Sequence, residues 1–153
     1  EHHELPEIQS LDVRAIVEAK LDAAIAKGLR SVFVEDTSLS IRGLKGLPGP
    51  FIRWFLETNG TIGIAQMALN SGEPEAEAKS VVGAVLPNGE RVFAEGVTHG
   101  KIVSPRGREF GWNSIFEPLG SPKTFGEMSD DERALNSMRT IAFRNLQASL
   151  ETR

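Results

Sequence analysis

Between Ser10 and Lys27 the apolar positions recur at helical spacing, with Leu11, Ala15, Ile16, Ala19, Ala23 and Ala24 forming one stripe and Gly28 ending it. Ser10 is the candidate N-cap, and Asp12 puts a negative charge in the first turn, where unpaired amides favour it. The period then changes. Val32-Phe33-Val34 is a short β-branched and aromatic run that predicts a buried strand, delivering Glu35 and Asp36 at its end. Gly43 to Pro50 holds three glycines and two prolines, which predicts a rigid, sharply folded loop. A helix is expected next, with Phe51, Trp54 and Phe55 on its apolar side and Arg53 off it. Asn59-Gly60 marks a break, and Thr61 to Asn70, apolar nearly all round, predicts a second and buried helix.

In the second half, Lys79 to Leu86 and Glu90 to Val97 are strand-like runs joined by Pro87-Asn88-Gly89, and Asn-Gly is a strong hairpin signal. A further strand, Val97 to Val103, carries His99, expected to be half-exposed. Phe110-Gly111-Trp112 sets two aromatic rings about a glycine, a pattern that suits either a stacking platform for a base or a core cluster. Ser121 to Met128 reads as a loop. Ser129-Asp130-Asp131-Glu132 is a capping box opening one last helix, with Leu135, Met138, Ala142, Leu146 and Leu150 toward the sheet and Arg133 and Arg139 off that stripe.

A length of 153 residues fits one domain. Without cysteine there is no disulfide or zinc-thiolate site, and the compartment leans toward the cytoplasm. No apolar run of about 18 residues argues for a membrane, and no leader pattern argues for export. The net charge of −4 offers no general attraction to a nucleic acid polymer, so an anionic substrate needs a local basic cluster and a metal. Ligands of open α/β sheets bind beyond the carboxyl ends of strands, which directs attention to Glu35, Asp36, Thr37 and Ser38 as hard oxygens for a divalent cation. Successive strand side chains alternate, so Glu35 and Asp36 are not expected to face one ion together. His2 and His3 are read as an incidental solvated pair.

Three stretches carry a resemblance. Glu35 to Leu39 reads E-D-T-S-L, Gly46 to Phe55 reads G-L-P-G-P-F-I-R-W-F, and Phe110 to Phe116 reads F-G-W-N-S-I-F. Together they resemble the inosine triphosphate pyrophosphatase family, whose members hydrolyse non-standard purine nucleoside triphosphates to monophosphate and pyrophosphate with magnesium. The match extends from about Leu5 to the last helix and includes Leu5-Pro6-Glu7-Ile8-Gln9, the counterpart of the family's L-P-E-x-Q. It does not include the family's initial strand and helix, with their Thr-Gly-Asn-x-x-Lys phosphate motif.

The resemblance implies a mixed α/β fold, with a long twisted central sheet flanked by helices, a nucleotide cleft between two lobes, and a homodimer. It implies that Glu7 and Asp36 hold Mg2+, that Asp36 also activates the attacking water, and that Glu35 supports the metal directly or from behind. Lys20, a surface lysine by its local pattern, becomes catalytic. Arg53, where the family usually has lysine, would neutralise phosphate charge, and Thr37 would donate to a phosphate. The base would lie against Phe110, Gly111, Trp112, Asn113, Arg133, Ser137, Met138 and Arg139. Here the chain departs from the family's G-[WY]-D-P and S-H-R: Asn113 replaces an aspartate and Met138 a histidine. Hydrogen-bonding sites discriminate strongly, so these changes imply altered base selectivity. They also motivate an alternative, a non-catalytic nucleotide-binding or structural homologue.

Overall fold

The computed structural model describes residues 2–153. Three long strands, β1 (Val32–Ile41), β3 (Glu75–Val85) and β4 (Arg91–Ile102), form the middle of one sheet. Two short ones, β2 (Pro48–Gly49) and β5 (Phe116–Pro118), close its edges in the order β2-β1-β3-β4-β5. Every pairing is antiparallel. The rule for the carboxyl ends of open, largely parallel α/β sheets therefore does not locate this site. Nor does β1 end at Val34: it runs straight through Glu35 and Asp36 to Ile41. Acids are poor strand formers, and these two are accommodated because each meets a cation, Lys20 on one face and Arg139 on the other.

Helix α1 (Val13–Ala26) covers one face, and α4 (Met138–Glu151) the other. Val34 points with Val81 and Val85 into a core shared with Val13, Val17 and Leu21 of α1. On the opposite face, Val82, Ala84 and Val92 pack with Ala142 and Leu146 of α4, and Phe33 sets its ring edge-on to Phe143. β3 is thus buried on both sides, which explains its run of Ser, Val, Gly and Ala without polar alternation. Beyond Leu39 and Ile41 the α4 face continues into a core with Ile52, Ile64, Trp112, Phe116 and Phe125.

Two glycines admit the helices. A Cβ on Gly96 would strike the Met138 carbonyl and the Ala142 amide of α4, whereas one on Gly83 would meet only the side-chain ends of Val17, Leu21 and Phe93. Backbone cannot retreat as a methyl group can. Gly96→Ala is therefore expected to cost about 3 kcal/mol in chemical denaturation, and Gly83→Ala clearly less. Equal costs would mean that α4 shifts freely over the sheet.

Several expectations need correction. The N-cap of α1 is Asp12, which accepts from the Arg14 amide, while Ser10 accepts from Asp12. The buried stripe is Val13, Ile16, Val17, Lys20, Leu21 and Ala24, and Leu11 is 71% exposed. The break expected at Asn59-Gly60 is present: within α2 (Ile52–Asn70) Gly60 takes a non-helical φ of 65° and ψ of 177°, so two helical segments meet there at a kink. Ile62 and Leu69 are exposed, so its second half is buried on one side only, through Ile64, Ala65 and Ala68. Trp54 is exposed as well. Glu90 to Val103 contains one strand rather than two, and His99 on it is exposed.

The capping box forms as expected but opens a short helix, α3 (Asp130–Asn136), and Ser137 turns extended to cap α4 separately. That break puts Leu135 off the α4 stripe and out in solvent. Among the described residues no helix is long and apolar enough to cross a membrane.

Candidate active site

Lys20 occupies a core position of α1, seven residues after Val13. Its stem is buried and its ammonium ends against β1. Nζ donates to the Glu35 carbonyl at 3.0 Å and to Asp36 Oδ1 at 3.2 Å, and pairs with Glu7 Oε1 at 2.8 Å. Three acceptors match the three donors of an ammonium. Burial lowers the pKa of Lys20 and is the largest single influence, but Glu7 and Asp36 together outweigh it, so the net shift is upward and the lysine stays charged. For Asp36 burial dominates: it raises the carboxyl above its ordinary value, Lys20 pulls it back only in part, and Glu7 adds to the rise. Asp36 is thereby a better proton acceptor than an exposed aspartate.

The three residues come from separate segments: Glu7 from the extended stretch before α1, Lys20 from α1, and Asp36 from β1. Glu7 is half-exposed and open to solvent, whereas the Lys20 and Asp36 side chains are only 11% and 17% exposed. The backbone amide of Thr37 bonds to the Asp36 carboxyl.

Glu35 faces away from this group, as strand alternation requires. Its carboxylate meets the guanidinium of Arg139 at the start of α4, and its second oxygen is buried without a partner. The structure therefore does not bring Glu35 together with Glu7 and Asp36 in one ligand set.

The residues implied for the base are dispersed in environment. Phe110 is 75% exposed, free to offer a ring face, whereas Trp112 is in the core, edge-on to Phe116 and tilted against Phe125. Gly111 has φ 55°, the left-handed conformation that lets the loop reverse between those rings. Asn113 opens a short turn, its amide bonded to the Phe110 carbonyl. Met138 is buried in the core, and Ser137 caps the α4 amide of Arg139. Arg133 pairs with Asp130 within α3. Arg53 stays on the surface of α2, paired with Glu57 and lying over Trp54.

One cluster escaped sequence reasoning. Arg106 binds Glu117, Glu127 and the Pro122 carbonyl, while buried Thr124 donates to the Arg106 carbonyl. Nearby, Glu109 accepts from Ser114 and from Thr61 of α2. These contacts hold the loop that presents Phe110. The Arg106 hydrogen bond is the main cause that holds the Glu117 carboxyl below its ordinary value. A depressed carboxylate contributes stability that is present above the unfolded pKa, about 4.3, and lost as pH falls through the folded value. The thermal midpoint should fall on acidification below about pH 4.3, and Glu117→Gln should flatten that fall. An unchanged slope would assign the acid sensitivity to other carboxylates.

Among the described residues no three His, Cys, Asp or Glu side chains converge as a metal cage. Magnesium needs no such cage: it keeps waters and is commonly held by one or two carboxylates plus substrate phosphates. Glu7 and Asp36, already converging on one cation, fit that role.

The model of the Ham1 family matches residues 1–149. Inosine triphosphate pyrophosphatase of Schizosaccharomyces pombe is 40% identical over 153 residues, covering 98% of this chain and 80% of the relative. Its counterpart from Saccharomyces cerevisiae is 43% identical over 145 residues, covering 92% and 73%. Among solved structures, the Staphylococcus aureus Ham1 protein superposes with a TM-score of 0.79 at 23% identity, over 98% of this chain and 81% of that one. A HAM1 protein from Coxiella burnetii gives 0.80 at 22%, over 97% and 82%. The solved structures bear out the mixed α/β fold, and the family model over residues 1–149 together with the curated relatives establishes descent: the chain belongs to the Ham1 family.

Proposed function

We propose that this protein hydrolyses non-standard purine nucleoside triphosphates such as ITP and XTP to the monophosphate and pyrophosphate, in the presence of magnesium. The observation that carries this reading is the Glu7–Lys20–Asp36 group, in a chain about 40% identical to a curated inosine triphosphate pyrophosphatase. Water would attack the α-phosphorus as the bond to the bridging α–β oxygen breaks, and its proton would pass to Asp36. The raised proton affinity of that carboxyl favours the transfer. Lys20, which stays charged, would exchange the half-exposed Glu7 carboxylate for the phosphate oxygens on which charge develops. Magnesium bound by Glu7 and Asp36 would supply further positive charge to the triphosphate. Arg53 would approach the phosphates only by leaving Glu57, a surface pair worth about 0.5 kcal/mol.

On the base side, exposed Phe110 would stack on the purine and Arg139 would donate to the 6-keto oxygen. Because Met138 is a core residue, its methionine removes a polar contact without leaving a buried polar group unpaired. The selectivity expected of this protein is therefore broader than that of a site reading the base with a full polar set. Pyrophosphate release from ITP, XTP, dUTP, ATP and GTP, with and without magnesium, tests this. Preference for ITP and XTP supports the reading. Equal turnover of ATP would remove the 6-keto assignment, and no turnover of any would favour a binding homologue. A homodimer in the cytoplasm completes the proposal, with sedimentation as its check.

A further inference from the structure

We infer that Glu35 is a positioning residue that holds the Arg139 guanidinium in place at the head of α4, an inference that rests on the nucleotide reading above. A carboxylate with one oxygen on Arg139 and the other buried and unpartnered is a poor stabilising device. Such a group is retained against its cost where it fixes something else. What it fixes is evident from the geometry. The Arg139 side chain is 62% exposed, so the guanidinium is anchored from below by Glu35 while much of it stays open to solvent. It borders an open groove with Thr140, Phe143 and Arg144.

The anchoring point is itself rigid. Glu35 sits in the middle of β1, directly before the residue that binds Lys20, and β1 is paired along its whole length with β3. The other end of the link is equally fixed: α4 rests directly on Gly96, and Ser137 caps the Arg139 amide. Strand β1 thus presents Asp36 toward the phosphate chemistry on one face and, through Glu35, sets an arginine on the other. Arginine carries about 2 kcal/mol of rotamer entropy. An arginine already restrained in the free protein loses less of it on binding a 6-keto oxygen.

The test is a double-mutant cycle on the intact protein, with ITP as substrate and magnesium present. Glu35→Gln should raise the KM for ITP about tenfold and leave kcat within a factor of about two. Glu35→Asp should restore part of the loss. In an Arg139→Ala background, Glu35→Gln should add less than a twofold change. Arginine side-chain NMR gives a readout independent of turnover: the Arg139 Nε–H signal should shift and exchange faster in Glu35→Gln. A fall in kcat with unchanged KM, or multiplicative losses in the double variant, would overturn the assignment and put Glu35 at the phosphate centre. If the wild-type protein turned over no nucleotide, both this inference and the nucleotide reading would fall. Turnover with an unaltered Arg139 signal would remove this inference alone.

Discussion

Asp36→Asn is expected to reduce pyrophosphate release from ITP by about 10²- to 10⁴-fold, the range that a general base contributes. The amide is the same size and still accepts from the Thr37 amide, but it takes no proton from water and is a poor ligand for magnesium. Stability should move the other way. Burial is the largest influence on Asp36 and it disfavours the charged form, so a neutral side chain relieves a penalty. The thermal midpoint of Asp36→Asn, measured without magnesium near pH 7, should equal or exceed that of the wild type. Lost turnover in an equally stable protein separates chemistry from folding. Retention of more than a tenth of the activity would assign the proton to another group.

Lys20→Met should lose on both counts. The methionine fills a similar volume on α1 but leaves the Asp36 and Glu7 carboxylates facing each other with no cation between them. Removing one partner of a buried pair costs about 3–5 kcal/mol. The half-exposed Glu7 lets solvent screen the remaining charge, so the low end, about 3 kcal/mol, is expected. Turnover should fall about 10²- to 10³-fold with the loss of one preorganised donor. Adding Asp36→Asn to Lys20→Met should recover stability, because the uncompensated buried charge is then gone, but should recover no activity. Lys20→Arg should not substitute, since a planar fork does not fit three acceptors gathered around one nitrogen. A Lys20→Met protein as stable as the wild type would mean that the ion pairs contribute nothing to the fold.

What is legible in the chain is local. Asn88-Gly89 specifies its hairpin, Gly60 its kink, and Ser129 with Glu132 its capping box, because each depends on residues a few positions apart. Strand alternation likewise separates Glu35 from Asp36 on sequence alone. Other features depend on the far side of the fold. The length of β1 is hidden because two acids interrupt its apolar run, and only Lys20 and Arg139, distant in sequence, make them tolerable there. The stripe of α1 reads rotated in the sequence, through Leu11 and Ala15 instead of Val13 and Val17, with Ile16 and Ala24 common to both.

In the correct register Lys20 falls on the seventh residue after Val13, the one lysine in an apolar stripe, a position where a lysine is found only with acceptors to pair it. Arg106 has no such signal. Its partners Glu117 and Glu127 lie 11 and 21 residues away and become neighbours only when the loop folds over Thr124. Trp112 and Phe110 cannot be told apart by spacing, since both flank Gly111. The structure separates them by packing, with Trp112 against Phe116 and Phe125 and Phe110 in solvent.

The most direct test of the central claim is the identity of the products. ITP incubated with the protein and magnesium should give IMP and pyrophosphate in equal amounts by phosphorus NMR, with no IDP or orthophosphate, and Asp36→Asn should leave ITP intact over the same interval. Formation of IDP and orthophosphate would place the attack at the γ-phosphorus and contradict the role proposed for the Glu7–Lys20–Asp36 group.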